Sequence, residues 1–158
     1  MSAMDPTRFR RLLGAFATGV AVATARDGNG KPAGMTASAI ASVSLDPPLL
    51  LVCVWQAADF HATIARAEHF GLNVLAGDQE GLSRRFSVDH PDRFADCVWR
   101  PHATGVPILD GTAAHIICAR DGAHPAGDHT IFLGRVLDGA VTDRAPLLHV
   151  HGTYRQLR

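Results

Sequence analysis

A chain of 158 residues falls within the ordinary span of one domain, and residues 1–158 are read as a single domain with one core of moderate size. Lys and Arg together number 15, as do Asp and Glu, so no net field gathers nucleic acid or an anionic membrane, and neither is expected as a partner. Cys53, Cys97 and Cys118 are widely spaced and include no C-x-x-C, which argues against a disulfide framework or structural zinc and fits a reducing, cytoplasmic setting.

Asp5 can cap a first helix with Pro6 in its opening turn, while Phe9, Leu12, Leu13 and Phe16 recur at helical spacing and Gly19 would stop it. Arg8, Arg10 and Arg11 ahead of apolar residues resemble a secretion signal superficially. Thr18 and Gly19 interrupt that run, so helix followed by strand is the reading adopted. Residues 20–25 read as a strand, 26–31 as a polar turn and 32–44 as the returning strand. Pro47-Pro48 leads into residues 49–55, whose unbroken apolar run predicts burial on both faces at the centre of a barrel. Asp59 can cap a short helix reaching residue 67; residues 70–75 return as strand and 79–86 as a third short helix. The stretch 87–107 reads as loop around a brief strand at 97–100, and strands resume at 112–120, 130–137 and 147–154. No stretch approaches the ~18 apolar residues of a membrane span. Long hairpins with few short helices predict a mainly β barrel rather than a doubly wound sheet.

The most informative segment runs from Gly34 to Ser44 and consists largely of Gly, Ala, Ser and Thr. Small side chains in a strand either let a flat ligand approach the backbone or allow tight strand packing, and composition leaves both open. Gly127-Asp128-His129 forms a tight turn ahead of a strand, with His129 either functional or merely its first residue. His149 and His151 would face one side of a strand and, with His124 or His129, give three nitrogen ligands for a metal enzyme; a His-x-His pair alone is slight support, and no metal is expected. Cys53 and Cys118 lie in apolar strands as buried, inert thiols. No Ser/His/Asp triad or paired carboxylates stand out.

Taken in order, Phe16-Ala17-Thr18-Gly19-Val20, the Gly34–Ser44 segment, Ser44-Leu45-Asp46-Pro47-Pro48-Leu49 and Asn73-Val74-Leu75 resemble the flavin reductase-like family of FMN-binding split barrels. Gln79, Leu82 and Phe86, Arg93-Phe94 with Trp99, Gly105-Val106-Pro107, Gly127–Phe132, and Pro146-Leu147-Leu148 ahead of Tyr154 extend the likeness over nearly the whole chain.

The resemblance implies a mainly β split barrel with short helices. It also implies the small reductase component of a two-component system, carrying hydride from NADH or NADPH to FMN or FAD and releasing reduced flavin to a separate monooxygenase. Such chemistry needs two rings stacked at contact distance and no acid–base dyad. By the same resemblance the flavin lies against Thr36, Ala37, Ser38 and Ala39, with Val54, Trp55, Gln56 and Ala57 beside it, and its phosphate near Ala58 and Asp59. His129 then stands beside the nicotinamide with Tyr154 as a second lining residue, and the protein is a homodimer. Three positions depart from the family: Ala58-Asp59 where Ser or Thr is usual, Ile117 where Glu is common, and His149 where an aromatic residue is common. An acidic Asp59 would repel the phosphate unless it turns away to cap the helix. The same barrel also supports a flavin-dependent oxidase or carrier without reductase activity.

Overall fold

The computed structural model describes residues 4–157. Helix α1 (Pro6–Gly14) opens as the sequence predicts, with the Asp5 carboxylate accepting from the Arg8 N–H at 3.0 Å. Its apolar stripe is not covered by the other described residues. Phe9, Leu12, Leu13 and Phe16 are all more than half exposed. Strands β1 (Thr18–Gly19) and β2 (Ala21–Arg26) follow, then β3 (Pro32–Ala37), β4 (Ile40–Leu45), β5 (Pro48–Trp55), α2 (Asp59–Arg66), β6 (His69–Val74) and α3 (Glu80–Phe86). A small hairpin of β7 (Trp99–Pro101) and β8 (Pro107–Leu109) precedes the long hairpin of β9 (Ala114–Ala126) and β10 (His129–Val141). Strands β11 (Leu147–Val150) and β12 (Thr153–Gln156) complete the described elements; β11 pairs with β1 on one side and with β12 on the other.

The main sheet has seven strands in the order β3-β2-β6-β9-β10-β5-β4, every neighbouring pair antiparallel. Its two edges, β3 and β4, are consecutive in the chain. Laid flat, six inter-strand spacings would part them by roughly 29 Å, whereas the three residue steps from Ala37 to Ile40 reach about 11 Å at most. The sheet must therefore roll until its edges meet. Six reversals leave β3 and β4 running in the same sense, so β4 is the displaced continuation of β3. The predicted strand 32–44 is thus one segment bent at Ser38-Ala39, its halves serving opposite edges. No ladder joins them, and this seam splits the barrel.

The core lies inside the roll, where Ala23, Val52, Val54, Phe60, Ile64, Phe70, Leu72 and Phe132 are almost wholly buried. Strand β5 does not have the two buried faces its apolar run predicts. Leu50, Val52 and Val54 point into the core, while Leu49, Leu51 and Cys53 are only partly covered, because β5 lies next to the uncovered edge strand β4. The doubly buried strand is β2, which α2, α3 and β8 pack against. Three further boundaries differ from expectation. Strands β9 and β10 extend well beyond 120 and 137. The segment 147–154 is a hairpin whose turn holds His151 at φ 51°. The N-cap of α2 is Ala58, with Asp59 as its first helical residue.

Candidate functional site at the seam

The site is assembled by main-chain pairing between β5 and β10. His129 pairs with Trp55 and Thr130 with Val54 at the strand ends. The chain then turns through Gln56, whose N–H donates to the Asp128 carbonyl and whose side-chain amide donates to the His129 carbonyl, both at 3.0 Å. Gly127 takes φ +65°, a conformation that favours glycine, and so lets the facing turn close tightly. Helix α2 is fixed to the same strand: His61 Nε2 lies 2.8 Å from Thr130 Oγ1, and the His61 ring packs against Phe132 at 5.6 Å. The sequence reading missed His61, since a single His in a short helix carries no pattern.

On the other flank, the Cys53 N–H donates to the Ala39 carbonyl at 2.9 Å, carrying Ser38 and Ala39 to the rim beside the end of β5. Both are exposed, as are Trp55, Gln56 and Ala57. Ser38 also lines an apolar cleft of about 320 Å³ with Phe16, Thr18, Val20, Ile40 and Val74. The structure therefore gathers Ser38, Ala39, Val54, Trp55, Gln56, Ala57, Ala58 and His129 around one end of the seam. Ala37 and Val54 are buried and offer only backbone there. The unladdered edges at the seam leave main-chain polar groups available to a flat heterocycle, and the half-exposed Trp55 indole offers a face for stacking. These features fit a flavin ring.

Two expected residues have other partners. The Thr36 hydroxyl donates to the Ser83 carbonyl at 2.6 Å, tying β3 to α3. Tyr154 belongs to the smaller sheet: its hydroxyl lies 2.8 Å from Ser83 Oγ, Arg84 stacks over its ring at 5.0 Å, and His149 packs on it at 5.3 Å. It is not among the residues gathered around His129. Ile117, at the second departure from the family pattern, is buried with Val106 and Ile108.

Asp59 neither caps α2 nor stands free. Its carboxylate accepts from Arg93 Nη2 at 3.2 Å, and Arg93 also pairs with Asp89. Burial, followed by the neighbouring Asp89, raises the Asp59 pKa against the lowering pull of Arg93. Arg93 is 6 % exposed; it donates to the Val88 carbonyl at 2.6 Å and the Gly34 carbonyl at 2.7 Å. It thereby latches the loop after α3 onto β3 and the start of α2. In the sequence Arg93 is only part of an Arg-Phe match, because nothing local announces that a charged residue in a polar loop will be buried.

At the head of β10, His129 Nδ1 lies 2.7 Å from Asp128 Oδ1. That hydrogen bond is the main reason the Asp128 carboxyl is held below its ordinary range. Burial pushes the Cys118 thiol up to about 12, in keeping with an inert core thiol; burial also raises Cys53, but that residue is only partly buried, so the expected core position holds for Cys118 and not for Cys53. His149 and His151 do not share one strand face as the His-ligated metal alternative required: His149 lies on β11 and His151 in the following turn. Among the described residues no three His, Cys, Asp or Glu side chains cluster as a metal site. No described helix is long and apolar enough to cross a membrane.

Comparison with known proteins agrees with this architecture. The profile of the flavin reductase like domain matches residues 13–158. An FMN reductase (NADH), SmoA, of Agrobacterium fabrum is 45% identical over 146 residues, covering 92% of this chain and 83% of the relative. The reductase subunit HsaB of a flavin-dependent monooxygenase of Rhodococcus jostii is 40% identical over 153 residues, covering 96% and 78%. The solved structure of a Streptomyces globisporus NADH:FAD oxidoreductase, in complex with NAD and FAD fragments, superposes with a TM-score of 0.92 at 36% identity, covering all of this chain and 98% of that one. With its rolled, seam-split sheet and a profile match over nearly its whole length, the chain belongs to the flavin reductase-like family and is an oxidoreductase acting between a nicotinamide nucleotide and a flavin.

Proposed function

We propose that the seam is the flavin site and that NADH is the hydride donor met there beside His129. The observation that carries this reading is the convergence, on one rim, of exposed small residues at Ser38-Ala39 with the Trp55–Ala58 turn stapled to the head of β10. When bound, the two cofactors supply the redox chemistry, a hydride passing from the dihydronicotinamide to the flavin. The chain's own part is to bind, orient and exclude water. Ser38 and Ala39 present backbone without side-chain bulk, Trp55 gives a stacking face, and Gln56 fixes the strand end that carries His129. Ala58 and Asp59 lie where the flavin's phosphate would approach α2, and Arg93 offsets the Asp59 charge there.

The reduced flavin is released to a separate flavin-dependent monooxygenase; the HsaB relative, named as the reductase subunit of such an enzyme, supports this role. FMN and FAD both suit an open rim that binds the ring. The active form is a homodimer: the uncovered stripe of α1 and Leu45, 95% exposed, form apolar surface that a second copy would cover.

The test is a titration of the purified protein with FMN and FAD followed in the visible spectrum, then mixing with NADH or NADPH in a stopped-flow instrument. Rapid bleaching with NADH is expected. Flavin binding without reduction by either nucleotide would leave a carrier and overturn the reductase reading. Light scattering showing a monomer at micromolar concentration would remove the dimer.

A further inference from the structure

The Asp128–His129 pair supports an assignment that rests on the placement of His129 beside the nicotinamide. Both residues have their carbonyls held by Gln56, so the 2.7 Å contact between Asp128 Oδ1 and His129 Nδ1 sits on a fixed backbone. An ionised carboxylate accepts hydrogen bonds and has no hydrogen to give, which puts the shared hydrogen on Nδ1. In the neutral ring Nε2 is then bare. The His129 side chain is 43% exposed, so it can meet a ligand at the rim.

We propose that Asp128 is a positioning residue that fixes His129 in its Nδ1–H tautomer, leaving Nε2 to accept a hydrogen bond from the carboxamide NH₂ of the nicotinamide. The lowered Asp128 pKa agrees with a carboxylate that remains ionised at neutral pH. Elsewhere around His129 the neighbouring strands and turn contribute Trp55, Gln56 and Ala126, none of which titrates; His124, opposite Ile131 on β9, has its Nε2 over Gly122, and His61 is turned to Thr130. The arrangement also gives selectivity. A carboxamide donates to a bare nitrogen, whereas an acetyl group at the same ring position has no hydrogen to offer.

Asp128 is exposed, so Asp128→Asn removes the charge without disturbing the core. An asparagine amide can donate to Nδ1, which moves the ring hydrogen to Nε2 and sets two donors against each other. The expected result is a KM for NADH raised about tenfold, the size of one hydrogen bond reversed, with a smaller change in kcat. Asp128→Glu should recover most of the loss. Two further readouts are insensitive to a merely structural role. Nitrogen NMR of histidine-labelled protein should show the Nδ1–H tautomer at His129 in the wild type and not in Asp128→Asn. Inhibition by NAD should be stronger than by its acetylpyridine analogue in the wild type, with the preference shrinking in the variant. A wild-type Nε2–H tautomer, or an unchanged KM in Asp128→Asn while His129→Ala raises it, overturns this proposal and leaves the placement of His129 standing. An unchanged KM in His129→Ala overturns both.

Discussion

Replacing Arg93 with methionine keeps the length of the side chain and removes every hydrogen bond it makes. The two carboxylates it meets have side chains 57% and 53% exposed, so they regain water and their share of the loss is small. The carbonyls decide the outcome, above all that of Gly34, which is buried and loses a charged donor at 2.7 Å. One such bond to a charged group contributes about 1.5–3 kcal/mol; with a smaller share from the part-buried Val88 carbonyl, the expected loss is roughly 2–3 kcal/mol. For a chain of this length that lowers Tm by about 5–10 °C. Urea unfolding followed by tryptophan fluorescence measures it directly, since Trp99 packs on Phe94 beside the latch. Arg93→Lys, a single point charge without the planar fork, should recover less than half. A methionine variant within about 0.5 kcal/mol of wild type would refute the idea that this arginine holds the loop.

Ala37→Leu and Ala39→Leu should separate packing from binding. Ala37 is buried, so overpacking should cost roughly 1–3 kcal/mol of stability, whereas exposed Ala39 should leave urea stability unchanged and weaken flavin binding; equal effects on both readouts would misplace the rim. Burial, then Arg100, holds the His115 pKa below its ordinary 6.5, so the unfolded chain binds the proton more readily and stability falls as pH drops below that value. Urea midpoints between neutral pH and pH ~5 should show this slope, and His115→Gln should flatten it. Cys118, with its thiol near 12, should resist an aromatic disulfide reagent in the native protein and react only on unfolding, while partly exposed Cys53 and Cys97 react first.

Local chemistry made much of the fold legible. The Asp5 cap, the polar turn at 26–31 and the Gly127 turn lie where their residue types predict, because each depends on neighbours within a few positions. The segment rich in small residues pointed to the seam for the right reason in part: Ser38 and Ala39 are exposed at a rim, while Ala37 of the same run packs the core. Periodicity misled where burial depends on remote elements. The apolar run of β5 does not reveal that its neighbour β4 is an uncovered edge, and the helical stripe of α1 does not say that the other described residues leave it open. Tyr154 and Thr36 were picked out by resemblance, but their hydroxyl partners lie on α3, a pairing no sequence spacing encodes. The Arg93 latch, which joins its own loop to β3 and α2, was illegible for the same reason.

The bend at Ser38-Ala39 couples the two edges through backbone continuity alone. In an ordinary hairpin, an added residue is absorbed by the loop, and the Arg26–Lys31 turn should behave that way. An insertion between Ser38 and Ala39 has no such outlet. If β3 keeps its pairing with β2, the extra residue advances β4 by one position against β5. Ahead of the register irregularity at Ser42–Ser44 side chains alternate between faces, so Ile40, now partly buried against the core, would exchange faces with its exposed neighbour Ala41. The tolerance of this chain to changes in length should therefore be asymmetric, wide at its solvent turns and close to nil at two exposed small residues that otherwise look like a harmless surface loop.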